Sequence, residues 1–198
     1  MARLGRHYCI KETDVTDLAF DIKEIQPEPE FDLWLYAEIA GETRFADALM
    51  HALEECWNRW KDHLKAVRLV RKQGKGDFLV VWLEEPVEAE VEAKWDESPT
   101  DGLSLHNLAV TMVMGAARAA IPELEENKCA PMPKPTGSIQ DAFEALGMEW
   151  NADGTIDRKY AVFTFMPYKG GCEICFLEED CPSSKMEKKW GRNRKNPS

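Results

Sequence analysis

Hydrophobic residues in this chain recur at steps of two in some stretches and of three to four in others, and the two periods point to strands and helices respectively. Residues 31–39 alternate through Phe31, Leu33, Leu35, Ala37 and Ile39 and stop before Gly41, which predicts a strand whose other face, carrying Trp34 and Tyr36, is also covered. Residues 43–66 place Phe45, Leu49, Ala52, Leu53, Cys56, Trp60 and Leu64 on one helical face, with Glu54, Glu55, Arg59, Lys61 and Asp62 around the rest. Val67 and Leu69, then Gln73-Gly74-Lys75-Gly76, then residues 78–83 read as two extended runs around a glycine-containing turn, a hairpin.

Residues 87–95 set Val87, Ala89, Val91, Ala93 and Trp95 against Glu88, Glu90, Glu92 and Lys94. The alanines and glutamates favour a helix, but the period decides which face can be buried, so the expectation is an acidic strand. Residues 103–121 predict a second helix, whose Gly115, Ala116, Ala119 and Ala120 allow close approach to a sheet and which Pro122 ends. Ser138, with Asp141 at the capping-box position, predicts a short helix with Ile139, Ala142, Phe143 and Leu146 as its apolar stripe. Residues 160–166 predict a last strand, and 6–12 and 18–25 two short early ones, closed off by Gln26-Pro27-Glu28-Pro29.

Counted from residue 31, the order is strand, helix, strand, strand, helix, late strand. The expectation is an α+β fold with a ferredoxin-like split βαβ core: an antiparallel sheet with two helices on one face, an added acidic strand, and a C-terminal helix, strand and cysteine-cluster extension. The chain divides into an N-terminal extension (1–30), a core domain (31–122), a Pro-rich acidic connector (123–137), a C-terminal segment with the cysteines (138–184) and a basic flexible tail (185–198).

The charge of the 198 residues is −11, and the tail alone carries six basic residues and one acid, net +5, so the rest is net −16. An acidic body repels phosphate backbones, which disfavours nucleic acid except through the basic tail. No apolar run is long enough for a membrane span, and the first ten residues lack the apolar stretch of a signal peptide, so the expected setting is the cytoplasm, without a membrane partner.

Of six cysteines, Cys56 falls on an apolar helix face and reads as a core residue. Cys172, Cys175 and Cys181 form C-x2-C-x5-C after a Gly-Gly pair. Cysteines three apart can turn two sulfurs toward one ion, but three thiolates do not complete a tetrahedral zinc site or a four-cysteine cluster shell. Cys129 or Cys9 can supply the fourth ligand, with His106 as a nitrogen alternative. Reduced thiols without a ligand, and a redox-active CxxC, are the competing readings.

The spacing and the acidic and apolar residues within it resemble the last three cysteines of the [4Fe-4S] cluster loop in endonuclease III-type DNA glycosylases. That loop has a further cysteine seven positions earlier, where this chain has Phe165. The resemblance covers about ten residues, without a helix-hairpin-helix segment or a catalytic Lys/Asp pair; it implies a cluster held by Cys172, Cys175 and Cys181 with a fourth ligand from elsewhere, and does not imply glycosylase activity. The expected metal set is Cys172, Cys175, Cys181 and Cys129, holding a [4Fe-4S] cluster or zinc.

Other patterns favour structural readings. Glu149, Asn151, Asp153, Gly154, Ile156 and Asp157 match the start of an EF-hand loop, but Tyr160 stands where the bidentate glutamate belongs, so a hairpin turn is expected. Arg68, Arg71, Lys72 and Lys75 flank Gly74 and Gly76 without the strand–loop–helix context of a phosphate-binding loop. The sequence therefore suggests an accessory protein that binds a metal or Fe–S cluster without turnover of its own. The alternative is a protein-interaction or oligomerisation module, using the acidic stretch, the seven tryptophans and the tail to contact a protein partner or a second copy.

Overall fold

The structure, a computed structural model, describes residues 18–124, 129–151, 154–181 and 185. The early strand expected at 6–12, Cys9 and the basic tail beyond residue 185 lie outside the described residues.

Four strands, β1 (Phe20–Ile25), β2 (Leu64–Arg71), β3 (Asp77–Leu83) and β4 (Ala161–Met166), pair in chain order as one antiparallel sheet. The registers run Phe20 against Arg71, Leu69 against Phe78 and Phe78 against Phe165. The β2–β3 hairpin turns on Gly74 and Gly76, both at φ near +100, which only glycine adopts without strain. Asp77 at the base of the turn accepts from Arg68 Nε at 2.9 Å and from the Arg71 backbone amide at 3.2 Å, and Arg71 Nε donates to the Gly76 carbonyl at 3.4 Å, so two of the turn's bases serve the hairpin itself.

Helices cover both faces. Helices α1 (Leu33–Ala40), α2 (Asp47–Trp60), α3 (Glu85–Glu97) and α4 (Pro99–Ala120) enclose one core with Leu64, Ala66, Leu79, Val81 and Leu83 of the sheet. On the other face α5 (Gly137–Ala145) lays Ile139, Ala142 and Phe143 on Phe20, Val67, Leu69, Val80 and Phe163. Leu79, Val80 and Val81 of β3 are fully buried although consecutive residues point opposite ways, because the strand is covered on both sides.

The class is α+β with an antiparallel sheet, and strands and helices follow one another along the chain as in a split βαβ unit, but the pairing is different. β1 lies beside β2 and β4 beside β3, so the sheet is a meander with helical excursions, and among the described residues α1, α2, α3 and α4, rather than two helices, share one face. β1 precedes the expected core, and β4 follows the Pro-rich connector, yet both complete the same sheet.

Two expected strands are helices. In residues 31–39 the Asp32 carboxylate caps α1 by accepting from the Trp34 and Leu35 amides at 2.9 and 3.0 Å, and Gly41 ends it in the left-handed region. The segment is apolar at nearly every position, so its period-two pattern carried no information; the buried pair is Leu35 and Tyr36. In residues 87–95, Pro86 starts α3, and Val87, Glu88 and Val91 form the buried face while Ala89 and Ala93 are exposed. The alternation was a coincidence of small residues at solvent positions, and the helix preference of Ala and Glu prevails. The long helix expected over 43–66 ends at Trp60, and a 3-10 turn (Lys61–His63) hands Leu64 to β2. α5 begins after Thr136 without a side-chain cap, so Ser138 does not have the capping role expected of it.

Candidate functional site

The site is assembled beside β4 by two segments that contain neither strand nor α-helix. The first is the strap 129–136, Cys-Ala-Pro-Met-Pro-Lys-Pro-Thr. Prolines 131, 133 and 135 have no backbone donor, which leaves Ala130, Met132 and Lys134 as the alternate N–H groups of an extended run. Pro131 and Pro133 are buried, and the Pro131 carbonyl accepts from the buried Thr164 hydroxyl at 3.0 Å, which fixes the strap to β4.

The second segment is the cysteine loop that leaves β4. Gly170 adopts φ +55, and a Cβ there would meet Glu173 Oε1 at 2.9 Å and Ile174 Cδ1 at 3.1 Å, so glycine is required for this turn. A 3-10 turn (Cys172–Ile174) follows, closed by Cys175 N donating to Cys172 O at 3.1 Å. Cys181 N donates to Leu177 O at 2.8 Å and Lys185 N to Cys181 O at 3.0 Å, so all three clustered cysteines sit in hydrogen-bonded turns.

Strap and loop meet at Met132. Its amide donates to Cys175 Sγ at 3.3 Å, and its carbonyl accepts from Phe176 N at 2.8 Å. The hydrogen bonds thus tie Cys175 to a strap that begins three residues earlier with Cys129. Electrostatics report the same proximity. The Cys129 thiol is pushed up from its ordinary value first by burial, then by the proximity of Cys175, Cys172 and Cys181. Tyr168 is also pushed up, first by burial and then by Cys129, Glu173 and Cys172. Phe176 packs over Gly154, where a Cβ would come within 3.0 Å of its ring. Ile174, Phe176 and Leu177 leave an apolar rim partly exposed.

Of the four expected ligands, Cys129 begins the strap and Cys172, Cys175 and Cys181 lie on the loop joined to that strap at Met132, the loop cysteines half-buried and Cys129 exposed. Among the described residues, however, no three His, Cys, Asp or Glu side chains converge closely enough to hold an ion as they stand. A cation bound here would favour the deprotonated form of each thiol that it touched.

His106 belongs elsewhere. Its Nδ1 lies 3.1 Å from the Tyr160 hydroxyl, beside Trp95 and Lys159, in a shallow cavity between α3, α4 and the approach to β4. Tyr160 there is pushed up to about 12 by burial, then by the charges of Glu88 and Glu92. Cys56 is half-buried on α2 and packs against the larger core; burial, the leading cause, raises its thiol despite a 3.3 Å hydrogen bond from Arg59. The segment 149–157 forms the expected hairpin, with Trp150 bridging Ile156 and Asn151 N donating to Thr155 O at 2.7 Å.

Met132, Thr164 and Tyr168 are the site residues that sequence reasoning missed. The available signal was the alternation of prolines around Met132, which leaves donors on one edge of the strap, beside a cysteine. No protein-family model matches the chain, and a search of curated proteins finds no match. Among the described residues no helix is long and apolar enough to cross a membrane.

Proposed function

We propose that this protein is a metal-binding accessory protein in which Cys129, Cys172, Cys175 and Cys181 hold a zinc ion or an iron–sulfur cluster. The observation that carries the reading is the Met132 amide donating to Cys175 Sγ at 3.3 Å, which ties the cysteine loop to the strap that starts at Cys129. Four thiolates suit tetrahedral zinc and are the usual shell of a cluster, and a backbone N–H aimed at a ligating sulfur is the kind of outer contact that tunes such centres. When bound, zinc would supply structural cross-linking and a cluster would supply one-electron redox chemistry. The chain's own residues hold the strap against β4 through Thr164, turn the loop at Gly170, and give Cys175 its hydrogen bond.

The test is metal and sulfide analysis of anaerobically purified full-length protein, with a visible spectrum. One zinc per chain and no colour, or iron and sulfide with a brown chromophore, supports the reading and tells the two metals apart. A colourless, metal-free protein that keeps its fold, and whose stability does not change on adding zinc, overturns it. Replacing the four cysteines together by serine must abolish metal retention while leaving the sheet intact.

A second reading, a protein-interaction module, has one observation in its favour: Trp34 on α1 is 86% exposed beside the exposed Leu33. On that reading Trp34→Ala dissociates an oligomer or partner complex that survives the four-cysteine replacement, as size-exclusion chromatography would show.

A further inference from the structure

An open groove of about 1250 Å³ runs past the end of β1, between the start of β2 and the end of α5, across the sheet from the cysteine loop. Its floor is apolar and incompletely covered: Ile22, Trp82 and Leu146 are each only partly buried there. Its walls are acidic. Eight carboxylate residues line it against two lysines, and Glu24, Glu28, Glu30, Glu144 and Glu149 are exposed. One of the lysines, Lys65, is already engaged with the Asp62 carbonyl and Glu84.

We infer that this groove receives the basic C-terminal segment of the same chain, residues 186–198. The segment carries Lys188, Lys189, Arg192, Arg194 and Lys195 with one acid, Glu187, and has Met186 and Trp190 to offer an apolar floor. The other terminus does not match: residues 1–17 have three basic and three acidic residues, and they enter β1 at the end away from the groove. Reach is sufficient. Thirteen residues beyond Lys185 extend to about 40 Å, whereas crossing four strands takes about 15 Å and running the length of a six-residue strand about 20 Å. The opposite charges supply attraction and the half-covered Trp82 supplies area to bury, so docking lowers the repulsion that a body of net −16 builds up against itself. The inference is independent of the cysteine reading, since neither the strap nor the cysteine loop contributes a lining residue to the groove.

The test is carbodiimide cross-linking of the full chain, read by mass spectrometry. The expected result is amide links from Lys188, Lys189 or Lys195 to Glu24, Glu28, Glu30 or Glu144. These links are lost at about 1 M salt, where the screening length falls to about 3 Å, and are lost in a variant carrying Glu24→Gln, Glu28→Gln, Glu30→Gln and Glu144→Gln together. Links spread equally to Glu54, Glu85 or Asp101 on the helical face overturn the proposal. In a mixture of ¹⁴N- and ¹⁵N-labelled chains, links must stay within one label; mixed-label links assign the groove to a second copy and overturn docking within the chain.

Discussion

Trp95 of α3 lies against the bare Cα of Gly102 in the first turn of α4, so closely that a Cβ there would fall 2.7 Å from the indole and 2.8 Å from the Trp95 backbone. The contact fixes how α3 and α4 pack, because part of the obstacle is main chain and cannot rotate away. Gly102→Ala gains up to about 1 kcal/mol of helix preference but must overpack this contact, which typically costs about 1–3 kcal/mol. The expected outcome in urea unfolding is a net loss of stability, part of which Trp95→Ala recovers in the double variant. A more stable Gly102→Ala protein would show that the helix pair can slide apart freely.

Thr164 is fully buried and gives its hydroxyl hydrogen to the Pro131 carbonyl. Thr164→Val keeps the shape but strands that carbonyl, a loss of about 1–3 kcal/mol. On the metal-binding reading proposed above, the strap carries Cys129, so the same variant should also release metal to a chelator faster than the parent protein, whereas Thr164→Ser should behave like the parent in both assays.

Asp77 sets an acid limit on stability. Burial alone would raise its carboxyl, but the hydrogen bonds from Arg68 and from the Arg71 amide outweigh it and hold the group below the ordinary carboxylate range. A group depressed in the folded state stabilises the protein above its unfolded value, and that contribution disappears as pH falls through the lower folded value. Asp77→Asn should therefore be less stable than the parent near neutrality, and the gap should close as urea unfolding is repeated toward pH 3.

Tyr160 sets a limit at the alkaline side. Its phenol is pushed up to about 12, from an ordinary value near 10, by burial and then by Glu88 and Glu92. The folded protein keeps that proton where the unfolded chain has lost it, so the stabilisation is whole below about pH 10 and is lost as pH rises through the folded value. Ultraviolet titration should show one phenolate appearing well after the others, and Tyr160→Phe should remove it.

The hairpin and the last strand were legible because glycines at 74 and 76 punctuate them and because 160–166 has only one reasonable period. α1 was not, because a segment apolar at almost every position fits both periods, and the deciding feature is the Asp32 cap. α3 failed differently: exposed alanines mimicked buried ones, and the burial of Glu88, which accepts from Lys159 N at 2.9 Å, depends on a residue 71 positions away. The pairing of β1 with β2 could not be read locally either, since two helices intervene. At the site, the three clustered cysteines stood out from their spacing, but the neighbourhood of Cys129 is created by Thr164 and Met132, whose roles arise only when β4 and the strap meet.

Because β3 is shielded above and below by side chains and flanked on both edges by paired strands, its amide protons have no route to solvent short of dismantling the molecule. Deuterium uptake at Leu79, Val80 and Val81 should accordingly track the free energy of complete unfolding, giving an internal gauge against which looser openings, such as release of the strap, can be ranked.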